Sequence, residues 1–101
     1  MNKYLELVKE ITLKNLSSIN VEVFLFGSRA ASSELDKSDI DIGILGNKKV
    51  SSIIVSKLYE ELEESVVPYH VDIVDFFNVD KEFRRLATQN KIVWKKKKNI
   101  N

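Results

Sequence analysis

The sequence predicts an α+β fold, with about four strands in one mixed sheet and helices packed on it. Three observations predict it. Runs of β-branched and aromatic residues at 21–26, 39–45, 70–76 and 92–94 have the length of strands. The longer stretches between them space their apolar residues by three and four, the period of a helix with one buried face. The two kinds of segment alternate as helix, strand, short helix, strand, helix, strand, helix, strand. No linker, internal repeat or low-complexity stretch interrupts them, apart from a lysine run near the end.

In chain order, residues 3–16 place Tyr4, Leu5, Val8, Ile11 and Leu16 close to a single stripe, and Ser17, Ser18 and Asn20 break it. VEVFLF at 21–26 reads as a strand ending at Gly27-Ser28, and 29–35 as a short helix or a turn. DIDIGIL at 39–45 alternates Asp39, Asp41 and Gly43 with Ile40, Ile42 and Ile44, the period of a half-buried strand. Gly46 and Asn47 make a turn. Ser51 is placed to cap a helix carrying Ile54, Val55, Leu58, Tyr59 and Leu62, and Pro68 marks that helix's end. HVDIVDF at 70–76 is the third strand. Asn78 or Asp80 can cap a last helix through Asn90, with Phe83, Leu86 and Ala87 turned inward; 92–94 is a short final strand.

Composition bounds the chemistry. The chain has 101 residues, enough for one domain that hides roughly 65% of its unfolded surface. The expected division is a single domain over 1–94 and a basic tail over 95–101. There is no cysteine, which excludes disulfides, zinc–thiolate sites and cysteine nucleophiles. With one histidine, His70, a multi-histidine metal site is excluded. No apolar run approaches the ~20 residues that span a bilayer, and the polar start does not read as a signal peptide, so the expected location is cytoplasmic. Net charge is +1, with 15 acidic residues; setting aside the four lysines at 95–98 leaves 12 basic ones. That run could touch nucleic acid, but a solvated, frayed terminus is the plainer expectation.

Two motifs ask for more than packing. Asp39 and Asp41 leave the same face of a strand, where carboxylates repel and aspartate is disfavoured. A divalent cation would compensate, since hard oxygens suit magnesium, above all with substrate phosphates completing the shell. Taken alone, such a pair also fits a solvent-facing strand. Gly27-Ser28 follows a strand: the glycine lets backbone approach a phosphate, the serine and free N–H groups donate to it, and Arg29 can add charge. Taken alone, it also fits an ordinary turn. The two together, ten residues apart, are roughly a one-in-a-thousand coincidence at residue usages of several per cent. Asp72 adds a carboxylate between apolar neighbours, costly unless paired or metal-bound. If its strand lies beside DIDIGIL, three carboxylates converge on one spot.

The stretch FLFGSRAASSELDKSDIDIGIL followed by VDIVDF resembles the minimal nucleotidyltransferases of the DNA polymerase β-type superfamily, over about residues 21–94. The resemblance implies a small nucleotidyltransferase fold. In it, Gly27 and Ser28 would hold the β- and γ-phosphates of a nucleotide. Asp39 and Asp41 would bind two Mg2+ ions. Asp72 would complete one metal site and favour deprotonation of an acceptor hydroxyl. Ser32 stands where many members have glycine, a change in local geometry beyond the phosphate turn.

The implied reaction transfers a nucleoside monophosphate to a hydroxyl. Family members of about this length pair with a HEPN-domain ribonuclease toxin and act as antitoxins, in some systems by moving AMP from ATP onto a toxin tyrosine. An acceptor borrowed from such a partner fits the short chain, and a membrane or nucleic-acid partner is not expected. Two other readings stay open: an antitoxin that only masks its toxin, and a nucleotidyltransferase for a small hydroxylated molecule such as an aminoglycoside. His70 could contact nucleotide or metal, or simply be exposed. Arg84 and Arg85 could meet a partner or solvent, and Glu34 and Asp36 could touch a metal's water.

Overall fold

The computed structural model describes residues 3–27, 30 and 39–99. The short helix or turn expected at 29–35 falls largely outside them. The order is α1 (Lys3–Leu16), β1 (Glu22–Phe26), β2 (Ile40–Leu45), α2 (Ser52–Glu64), β3 (Val71–Asp75), a 3-10 turn (Phe76–Asn78), α3 (Lys81–Ala87) and β4 (Ile92–Lys95). The four strands form one mixed sheet in the order β3-β2-β1-β4. β1 runs antiparallel to both β2 and β4, while β2 and β3 are parallel and joined through α2.

Strand alternation sorts the sheet's two faces. Ile40, Ile42 and Ile44 are fully buried, and with Val23, Leu25 and Val71 they form the core on which α1 and α2 pack. The helices contribute Leu5, Val8 and Leu16 from α1 and Leu58 and Leu62 from α2. Thr12 completes the buried stripe of α1 at a position where a hydrocarbon would be expected. Asn15 and Lys14 both reach Glu61, tying α1 to α2. Ser51 caps α2 as expected, its hydroxyl accepting from Ile53 N.

The opposite face carries Phe24, Phe26 and Phe76, with Leu45 and Val74 beside them. Gly43 is required there: a Cβ would lie 2.3 Å from a Phe24 ring carbon and 2.8 Å from one of Phe76.

Two expectations are corrected. Asp80 does cap α3, accepting from Glu82 N and Phe83 N, but the helix stops at Ala87, and Phe83 and Leu86 are 48% and 52% exposed. Seven residues are too few to bring a whole apolar stripe down onto the sheet. Phe83 instead stacks flat against Phe76 at 6.0 Å. The lysine run is also not frayed at its start. Lys95 belongs to β4 and its Nζ donates to the carbonyls of Ile19 and Val21; Lys98 exchanges two hydrogen bonds with the Asn20 side chain.

Candidate active site

Residues at one end of the sheet make the site. β1 finishes at Phe26 and turns at Gly27, β2 begins just after Asp39, and β3 begins just before Asp72. Phe26 pairs with Asp41, and Asp41 pairs with Asp72, so the three lie in a row across neighbouring strands on the aromatic face. β3 does lie beside β2, the condition left open by the sequence, and their parallel register places Asp41 and Asp72 side by side.

Gly27 is shaped for this position. Its φ is +74°, a backbone region that L side chains rarely adopt. A Cβ on Gly27 would also come within 2.5 Å of Asp41 Oδ2. The glycine lets the end of β1 lie directly against the Asp41 carboxylate. Ser28, Arg29, Ser32, Glu34 and Asp36, all singled out in the sequence, lie outside the described residues.

Asp41 is half-buried and its carboxyl is pushed above the usual 3.8, first by burial, then by the charges of Asp72 and Asp39, with His70 acting in the opposite direction. His70 Nε2 lies 3.1 Å from Asp72 Oδ1; both side chains are largely exposed. Asp39 is exposed, one residue ahead of β2. Among the described residues, no three acidic or histidine side chains form a ready-made metal cage. The expected convergence holds for Asp41 with Asp72, and Asp39 stands at its margin. The donor set still fits divalent cations: hard carboxylate oxygens whose mutual repulsion is offset, among the described residues, by His70 alone.

Two side chains act behind the site. Asp75, on the opposite face of β3 from Asp72, accepts from Val50 N and Phe77 N and so stands outside the carboxylate group. Tyr59, read from the sequence as part of the buried helix stripe, does more than fill space. Its hydroxyl accepts from Ile73 N at 2.7 Å and donates to Ile73 O at 3.4 Å. It thereby pairs the outer edge of β3 next to Asp72. Apolar periodicity gives no signal for such a bond. Arg85 pairs with Glu82 in its own helix, away from any carboxylate of the site.

A mixed four-stranded sheet with paired strand-end aspartates beside a glycine turn defines a nucleotidyltransferase of the polymerase β type. The chain belongs to the family described as polymerase beta, nucleotidyltransferase, which matches residues 6–99. Among curated proteins, it is similar to one named "Probable protein adenylyltransferase MntA" from Haemophilus influenzae, 28% identical over 75 residues. That stretch is 74% of this chain and 66% of the relative, just under two thirds of its length. Among solved structures, one is a tri-AMPylated Shewanella oneidensis HEPN toxin in complex with an MNT antitoxin (TM-score 0.63, 21% identity, 90% of this chain and 71% of that one). Another is a toxin–antitoxin with AMP-PNP (TM-score 0.68, 22% identity, 89% and 74%). At these identities the two structures establish a shared fold.

Proposed function

We propose that this protein is a metal-dependent adenylyltransferase acting as an antitoxin, moving AMP from ATP to a tyrosine hydroxyl of a partner HEPN ribonuclease toxin. The observation that carries the reading is the in-register Asp41–Asp72 pair abutting the positive-φ Gly27 turn. The name of the curated relative and the AMPylated toxin in the Shewanella complex support the acceptor class. The AMP-PNP complex supports ATP as donor.

In this reading Gly27, Ser28 and Arg29 hold the β- and γ-phosphates. Asp39, Asp41 and Asp72 hold two Mg2+ ions. Bound there, the ions would polarise the α-phosphate, lower the acceptor's pKa and stabilise the leaving oxygen. Asp72 draws the proton from the tyrosine hydroxyl, and His70 holds its Oδ1. The tyrosine oxygen then bonds to the α-phosphorus as the bond to the leaving oxygen breaks, releasing pyrophosphate. The protein's own contribution is positioning and fixed charge. Reaction with a cytosolic ribonuclease would place the protein in the cytoplasm; among the described residues no helix is long and apolar enough to cross a membrane.

The test is the double substitution Asp39→Asn with Asp41→Asn, expressed beside the toxin. Loss of protection in cells, with the complex still forming, is the expected result. Unchanged protection would overturn catalysis in favour of masking.

A further inference from the structure

The end of the sheet opposite the carboxylates carries a second surface. There the turn after α1 and the turn after β2 enclose a groove of about 640 Å3. Its wall includes Ile19 and Ile54, and Ile54 also lines the adjoining hollow, where Ile53 stands. Ile53 is 78% exposed on the first turn of α2, the largest exposure among the described large hydrophobic residues. Nothing in the fold requires an isoleucine there.

Cations surround this apolar strip. Lys48 and Lys49 line the groove and Lys57 lines the adjoining hollow. Lys97, from the far end of the sequence, is brought over by its hydrogen bond to the Asn47 side chain. None of these four lysines has an ion pair among the described residues. Three carboxylates in the region have other partners: Asp75 has Val50 N and Phe77 N, Glu61 has Lys14 and Asn15 with the charge of Lys57 also acting on it, and Glu22 has Lys91.

We infer that this groove docks an acidic amphipathic segment of a partner protein, with apolar side chains against Ile19, Ile53 and Ile54 and carboxylates on the lysines. Charge complementarity selects the occupant's sign, and the apolar strip selects its kind. A phosphodiester chain would use the lysines and leave the isoleucines idle. Its bases would also want an aromatic platform, and the groove's lining has none. The surface lies at the opposite pole from Asp41 and Asp72, so an occupant there leaves the carboxylates open. The inference does not depend on the adenylyl-transfer reading.

Fluorescence anisotropy of the full chain tests it with three labelled probes. One is a helical twelve-residue peptide carrying four glutamates and two leucines on one face; the second replaces both leucines with serine; the third is a twelve-nucleotide oligouridine. The leucine peptide should bind, and the serine peptide at least about fivefold more weakly. Lys48→Glu with Lys49→Glu should weaken the leucine peptide by at least about tenfold, and Ile53→Ser by about threefold. All three positions are exposed, and unchanged circular dichroism and melting would certify the folds. Equal binding of the two peptides would overturn the proposal. So would tighter binding of oligouridine that ignores Ile53→Ser, which would mark a phosphate-binding surface. Absence of peptide binding, or self-association abolished by Ile53→Ser in sedimentation, would overturn it too, the latter in favour of a second copy.

Discussion

Asp41 is where the molecule's electrostatics and its chemistry meet. Its carboxyl is raised by burial and by Asp72 and Asp39, so the folded state holds that proton more tightly than the unfolded chain does. The sign follows directly: folding binds more protons in the window above 3.8, and stability falls as pH rises through it. In metal-free protein at neutral pH the charged carboxylate is a cost. Asp41→Asn should therefore melt a few degrees above the parent in chelator at pH 7, the gap closing as pH drops toward 3.8. Added Mg2+ should raise the parent's melting point and leave the variant's unchanged. Thermal melts at several pH values check both. Gly27→Ala acts on the same carboxylate from the other side. With φ at +74° and a Cβ only 2.5 Å from Asp41 Oδ2, it should destabilise by about 1–2 kcal/mol and reduce transfer activity more than tenfold. Denaturant titration and a transfer assay would read the two effects separately.

At the scale of elements, β3 is the strand to watch. It is an edge strand and carries Asp72, yet its outer side is held at Ile73 by the Tyr59 hydroxyl. Removing that hydroxyl leaves a backbone N–H and carbonyl without their partner. Tyr59→Phe should cost about 1–2 kcal/mol and speed hydrogen exchange at Ile73 ahead of the other strands. The strands themselves were legible because period-two alternation is a direct image of a two-faced sheet, most clearly in DIDIGIL. The cap at Ser51 was legible, and that of the last helix was narrowed to Asn78 or Asp80, for a similar reason: a short polar side chain precedes a helical stripe. The last helix was overread. Phe83 and Leu86 have the spacing of a buried face, but spacing cannot tell a core contact from a stack on one neighbouring ring. Tyr59 was underread, because a phenol in an apolar stripe gives no sign of what its hydroxyl meets.

At the scale of the whole molecule, the sheet separates two kinds of surface. One end brings together Gly27, Asp41 and Asp72; the other gathers lysines from positions distant in sequence around an apolar groove. The first end was visible in the sequence, since aspartates cost stability in strands and recur only where something compensates them. The register that sets Asp41 against Asp72 was conditional on strand order, which periodicity does not contain. The second end was not visible: Lys48, Lys49 and Lys97 become one surface only when Asn47 holds Lys97 across the sheet's end.

The central claim is transfer of AMP to a protein tyrosine. Intact-mass spectrometry of a HEPN partner, incubated with this chain, ATP and Mg2+, tests it most directly. The account predicts a mass gain in whole AMP units, confined to tyrosine, and absent when Asp39→Asn and Asp41→Asn are combined. An unmodified partner that the chain nonetheless neutralises would contradict it.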